Sequence, residues 1–283
     1  MFDTIHMSVP FEIDTQQKIT LHDDVLTYIR YNPSWNRLIV NCSIPKVIYE
    51  NNLQVVTELD INKFFKIVEN RIQELFNKTV KKDEWQVYRL DLCKNFKMDN
   101  AQQLNQYIRQ LAKIKIARKD TFLRNNETVE FRNKSIKIHF YDKQKQLKKE
   151  RVNDDLLEQS KNILRFEVQL KKDGLRQYDN NKRKAVDLLN KEFYKQVMTE
   201  QLDLINAKLD ELNMTENLLS EQLFDLGLTI SKIEKVYAFL TFIDQYGESF
   251  VRNTYGQNFY TRKNVVQEYH ERLEQKQNHK LVI

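Results

Sequence analysis

Leu164-Arg165-Phe166-Glu167-Val168-Gln169-Leu170 alternates apolar and polar residues without a break. Period-two alternation marks a β-strand, because successive side chains point to opposite faces. Arg165 and Glu167 therefore share one face, opposite Leu164, Phe166, Val168 and Leu170. Two other stretches also carry charged or nucleophilic side chains inside an apolar strand. In Glu84–Cys93 (EWQVYRLDLC), the alternation predicts Trp85, Val87, Arg89 and Asp91 on one face, with Tyr88, Leu90 and Leu92 on the other. His139-Phe140-Tyr141-Asp142-Lys143 predicts His139, Tyr141 and Lys143 on one face.

Around these three, Thr4–Val9, Arg37–Ile44, Thr128–Phe131 and Ser135–Tyr141 also read as strands, the last two joined by a turn at Arg132-Asn133-Lys134. Residues 60–77 and 100–115 keep apolar residues at helical spacing, with Asp60 and Asp99 as expected N-caps. Strands and helices do not alternate as strict βαβ units. That favours an α+β fold over residues 1–180, a largely antiparallel sheet with packed helices. From Asn181 onward the pattern is helical throughout. Helices are expected to about Leu212, then at 215–227, 229–246 and 261–277, with Thr215 and Thr229 as N-caps and Gly227 and Gly247 as stops. Residues 181–283 are thus expected to form an all-helical region.

Composition narrows the function. The chain has 283 residues and is 41% hydrophobic, enough for a real core. It has 4 Gly and 3 Pro and neither a GxGxxG nor a GxxxxGK[ST] run, which argues against a nucleotide-hydrolysing motor. A net charge of +6 suits a polyanionic partner. Cys42 and Cys93 have no zinc spacing, and two isolated thiols suggest a reducing cytoplasm. The start, MFDTIHMSVPF, lacks a signal-peptide pattern, and no apolar run is long enough to span a membrane.

A single Arg-x-acid pair reads most simply as a salt bridge on a solvated face. Two such pairs beside a tyrosine strand suggest chemistry. Asp91 and Glu167, on different strands, can converge on Mg²⁺ or Mn²⁺, with His139 as a third, nitrogen ligand. Tyr141 beside that ion is the expected nucleophile, with Lys143, Arg89 and Arg165 steadying phenolate or phosphate. Arg132, Lys134, Lys137 and Lys145 flank the tyrosine strand, and Lys171, Lys172 and Arg183 form a second group. Together they suggest a phosphate-backbone track. Tyr178, Tyr194, Tyr255, Phe259 and Tyr260 are candidates for stacking on unpaired bases.

In order along the chain stand Ile44-Pro45-Lys46-Val47 with Asn51-Asn52, Arg89-Leu90-Asp91, Glu127-Thr128-Val129 leading into Tyr141-x-Lys143, and Leu164-Arg165-Phe166-Glu167. This series resembles the filamentous-phage gene II replication proteins and their plasmid relatives over roughly residues 1–190. The resemblance implies a rolling-circle nuclease fold and a strand-specific nick at an origin. It implies Tyr141 as the residue that becomes linked to DNA, leaving a 3′-OH for a host polymerase. The partners expected are DNA, as a single strand or an origin hairpin, with a host helicase and polymerase, and no membrane. The sequence departs from the wider superfamily in lacking a His-hydrophobic-His triplet. A relaxase of a mobile element would share this chemistry. A non-catalytic DNA-binding regulator would instead use 215–227 and 229–246 as a helix-turn-helix.

Overall fold

A computed structural model of the chain describes residues 2–54, 56–179, 182–225 and 229–280, with backbone alone at 213–225, 270 and 272–280. The strands are β1 (Phe2–Pro10), β2 (Ile19–Asp23), β3 (Thr27–Asn32), β4 (Arg37–Ser43), β5 (Gln86–Lys97), β6 (Asp120–Arg124), β7 (Thr128–Arg132), β8 (Ile136–Asp142) and β9 (Ile163–Lys171). The helices are α1 (Ile44–Tyr49), α2 (Glu58–Phe76), α3 (Ala101–Lys113), α4 (Lys143–Glu150), α5 (Asp154–Gln159), α6 (Lys172–Leu175), α7 (Ala185–Leu188), α8 (Lys191–Asp225), α9 (Ile230–Tyr246), α10 (Glu248–Tyr255) and α11 (Gln257–Lys280). The chain is α+β, as its patterning predicts.

The strands form one sheet in the order β2-β3-β4-β1-β5-β9-β8-β7-β6, with every recorded pairing antiparallel. β9 is central and buried on both faces from Leu164 to Leu170. One face carries Leu164, Phe166, Val168 and Leu170, all fully buried, and Phe166 stacks on Phe140 of β8 at 4.7 Å. The other carries Arg165, Glu167 and Gln169, also buried. A polar row in that position is costly unless its members satisfy one another.

Strict alternation fails in β5. Ile5 pairs with Leu90 but Met7 pairs with Val87, because the register shifts between His6 and Met7. Ile5 and Met7 lie two residues apart and share a face, so Val87 joins Leu90 and Leu92 rather than Arg89 and Asp91. This β-bulge adds a residue near Tyr88 and turns Arg89 and Asp91 to the polar face. A second shift, between Phe2 and Ile5 of β1, occurs at Asp3-Thr4.

Helix caps differ by one to three residues from the sequence expectation. Thr57 caps α2, and Asp60 sits in the first turn, where its Oδ2 accepts from Thr57 N at 2.8 Å. Asn100, not Asp99, caps α3, its side chain accepting from Gln103 N at 2.9 Å. The chain remains helical across Thr215, so 215–227 is not a separate helix and the two-helix motif loses its first member. The expected stop at Gly227 lies outside the described residues. Thr229 and Gly247 do bound α9, Gly247 with φ of 79°, where glycine is favoured.

The chain divides into two compact units, Met1–Leu209 and Asp210–Ile283. The first unit runs past residue 180 because Phe193, Val197, Met198 and Ile205 of α8 are buried. In the second, Ile233, Val236, Phe239, Val251, Phe259, Val266 and Tyr269 form a small core. No described helix is long and apolar enough to cross a membrane.

Candidate active site

Sheet register gathers the site from residues far apart in sequence. Lys137, Gln169 and Asp91 face one another across β8, β9 and β5. The next rung on the same face is Glu130, His139, Glu167 and Cys93, and the next is Thr128, Tyr141, Arg165 and Asn95. Three consecutive rungs thus place His139, Tyr141, Asp91, Arg165 and Glu167 on one polar surface.

Glu167 is the centre of that surface. Tyr141 donates its phenolic hydrogen to Glu167 Oε2 at 3.0 Å. His139 Nε2 lies 2.9 Å from Glu167 Oε1 but without hydrogen-bond alignment, so this buried nitrogen has no aligned partner. Arg165, fully buried, donates to Asp3 Oδ2 at 2.6 Å, to the Asn52 carbonyl at 2.7 Å and to Cys93 Sγ at 2.8 Å. Its Nε stands 3.9 Å from Glu167 Oε2. Asp3 comes from the β1 bulge and also accepts from Ser43 Oγ at 3.1 Å. Arg89 grips Asp91 with a fork, Nε to Oδ1 at 2.9 Å and Nη2 to Oδ2 at 2.5 Å. Gln169 adds a 3.4 Å contact to Asp91 Oδ2.

Asp3, Asn52, Arg89, Asp91, His139, Tyr141 and Glu167 line a cleft of about 420 Å³. Lys46, Lys137, Lys145 and Lys149 also line it. Glu127 takes Lys149 at 2.9 Å and Lys145 at 3.5 Å, and Glu150 takes Lys46 at 3.4 Å. The cleft therefore joins an acidic floor to four lysines, of which Lys46, Lys145 and Lys149 stand in ion pairs. Lys46, Asn52, Arg89, Asp91, Glu127, Thr128, Tyr141 and Glu167 all line it. Every segment in the motif series named above thus contributes a residue.

Burial drives the titration behaviour. Burial would raise Glu167, but the attraction of His139, with help from Arg165 and Tyr141, holds it down at about 2. Burial and the charge of Glu167 push the Tyr141 phenol well above its ordinary value. Asp91 is raised because burial, aided by Glu167, outweighs the Arg89 fork. Burial, aided by Arg165, lowers Lys143 to about 8.

Several expected site residues stand elsewhere. Lys143 is not on the tyrosine strand but opens α4, and its Nζ donates to Asn52 Oδ1 at 3.0 Å and Gln146 Oε1 at 2.6 Å. It lies 6.0 Å from the centre of the Tyr141 ring, so it braces Asn52 rather than the phenol oxygen. Arg165 is sealed beneath the floor, where it positions Asp3 and Asn52 and is screened from any phosphate. Arg183 is buried too, its guanidinium 5.1 Å over the Tyr88 ring. Arg132 packs 4.1 Å over Phe122. Lys134, Lys171 and Lys172 are exposed at the Ile136 end of β8, roughly 16 Å along the strand from Tyr141 at about 3.3 Å per residue. Of the seven expected phosphate contacts, Lys137 and Lys145 line the cleft. Tyr178 and Tyr194 spend their hydroxyls on Glu200 and the Cys93 carbonyl, and Phe259 is core. Asp3 was not singled out from the sequence, because only a bulge brings it to this face.

Among the described residues, no three His, Cys, Asp or Glu side chains converge as a ready metal shell. The pair His139–Glu167 does fit part of one. Two neighbouring ligands on an ion with bonds near 2.1 Å stand about 3 Å apart, and Nε2 and Oε1 are 2.9 Å apart with the nitrogen unspent. Asp91 is in the same cleft, with both oxygens engaged by Arg89.

A family model for the N-terminal region of the phage replication-associated protein of gene II matches residues 32–192, more than half of the chain. No curated protein matches it.

Proposed function

Because the chain belongs to the phage replication-associated protein family of gene II, we propose that it starts rolling-circle replication by nicking one origin strand with Tyr141. The observation that carries this reading is the Tyr141 hydroxyl, bonded at 3.0 Å to Glu167 in a lysine-lined cleft. A phosphodiester lying on Lys137, Lys145 and Lys149 would bring its phosphorus to the phenol.

Tyr141 Oη attacks phosphorus as the P–O3′ bond breaks. The product is a 5′-phosphotyrosine and a free 3′-OH, and the reverse step rejoins strands because the ester keeps the bond energy. The phenol is held protonated by burial, so it loses its proton only as the O–P bond forms. Glu167 Oε2 already accepts that hydrogen bond and orients the phenol, and the proton released ends on O3′ of the leaving strand. His139 Nε2 stands 2.9 Å from the other oxygen. Arg165 and Asp3 fix the floor, and Lys143 fixes Asn52 behind it. His139 and Glu167 are the residues that would hold Mg²⁺ or Mn²⁺, with Asp91 the next donor once Arg89 turns to the phosphate. When bound, such an ion supplies charge neutralisation on the phosphoryl oxygens.

The test is a labelled origin oligonucleotide incubated with the purified protein and Mg²⁺ or Mn²⁺. The expected result is a covalent protein–DNA band that chelation abolishes and that Glu167→Gln or His139→Ala weakens by about 100-fold or more, the scale of a lost acid–base group or ligand. Duplex binding with no adduct under either metal would instead support the non-catalytic regulator.

A further inference from the structure

The unit Asp210–Ile283 carries an organised surface of its own. α9 and α11 enclose a groove of about 390 Å³ lined by Lys232, Lys235 and Arg262, with Asn258 and Thr261 as polar neighbours and Val236 and Val265 as an apolar wall. Among the described residues, no acidic one lines it. Among the described residues, none of the three cations has an ion-pair partner. This is not the by-product of a basic region, because residues 210–283 hold eleven Asp or Glu against eight Lys or Arg. The cations are gathered at one place.

Aromatic rings lead away from that groove. The Arg262 guanidinium sits 4.7 Å over Tyr255. Tyr255 is 6.3 Å from Phe242, Phe242 is 6.2 Å from Tyr246, and Tyr246 is 5.2 Å from Phe250. Three of these rings are open to solvent, Phe242 at 39%, Tyr246 at 56% and Phe250 at 56%. The unit's own core closes without them. A line of exposed rings is costly in water unless something covers it.

We propose that this helical unit is a second DNA site, which holds single-stranded DNA with phosphates on Lys232, Lys235 and Arg262 and bases stacked on Phe242, Tyr246 and Phe250. Charge complementarity selects a polyanion, and exposed rings beside it select unpaired bases, whose faces duplex DNA hides. A protein partner or a second copy would cover the rings but leave three unpaired cations unexplained.

The test uses the full-length chain and a fluorescent oligo(dT) lacking any origin sequence, titrated in EDTA so that nicking plays no part. Tyr246→Ala with Phe250→Ala should weaken binding at least 5-fold, since each stacked base is worth about 5- to 150-fold by alanine substitution. Lys232→Ala, Lys235→Ala and Arg262→Ala combined should flatten the log K against log [salt] slope by about 2, at roughly 0.7 per phosphate. All five positions are solvent-facing or groove-lining, and an unchanged melting curve confirms that the unit stays folded. Unchanged affinity and salt slope in both variants would overturn the proposal. So would equal loss of duplex and oligo(dT) binding, or a change in sedimentation with DNA binding intact, which would make the rings a self-association face. Because no nicking is read, failure here leaves the role of Tyr141 untouched.

Discussion

Replacing Asp3 by asparagine should destabilise the Met1–Leu209 unit by about 3 kcal/mol, although this residue belongs to no motif. Asp3 is the closest carboxylate to Arg165, at 2.6 Å, and Arg165 is fully buried. Asparagine keeps the shape and can still accept from Ser43, but it strands the guanidinium with the Asn52 carbonyl, Cys93 and Glu167 at 3.9 Å. Removing one partner of a buried ion pair costs about 3–5 kcal/mol, and the remaining partners place this case at the lower end. For a unit of this size the melting temperature should fall by about 6–12 °C, at roughly 2–4 °C per kcal/mol. Both tryptophans, Trp35 and Trp85, lie in this unit, so their fluorescence follows its unfolding alone. The pairing itself is tested by a double-mutant cycle. Arg165→Met alone strands the Asp3 carboxylate, whereas the double variant leaves neither charge without its counterion, so it should be less damaged than the sum of the singles by about 2 kcal/mol. Additivity within about 0.5 kcal/mol, or a shift for Asp3→Asn below about 2 °C, would refute the reasoning.

Two further outcomes follow from the same geometry. Glu167 is held at about 2, below its ordinary value, so its contribution is complete above about pH 4.5 and fades as pH falls towards 2. The melting gap between wild type and Glu167→Gln should therefore narrow between about pH 6 and pH 3, and a gap independent of pH contradicts the assignment. Lys137→Ala should lower the salt slope of single-strand binding by about 0.7 with little change in stability, whereas buried Arg183→Ala should lower stability and leave that slope alone. The reverse pattern, measured by anisotropy and thermal melting, would mean that the cleft does not contact phosphate.

Much of this was legible in the sequence because β9, β8 and most of β5 keep strict alternation. Strand identity then determines which charged residues share a face, and Tyr141, Glu167, His139 and Asp91 do line one cleft. What alternation cannot show is a bulge. One extra residue near Tyr88 moved Val87 off the predicted face, and another at Asp3-Thr4 supplied the unforeseen partner of Arg165. Burial is the second blind spot: Arg165, Arg183 and Lys143 read as phosphate contacts by type, yet each is enclosed and used for packing or positioning. Short edge strands such as β2 and β6 carry too few apolar residues to announce themselves. The helical region was recognisable as such, but the long α8 crosses the expected break at Thr215 because Thr is tolerated inside a helix whose neighbours favour it.

Of the thirteen tyrosines, Tyr141 alone is assigned the attack on phosphorus, through a single oxygen atom. Trapping the protein on a labelled origin strand, digesting both polymers and sequencing the nucleotide-bearing peptide by mass spectrometry identifies that atom directly. The expected product carries the mass of a 5′-phosphonucleotide on the peptide containing Tyr141 and disappears in Tyr141→Phe. A nucleotide on any other tyrosine, or an undiminished adduct in Tyr141→Phe, would contradict it.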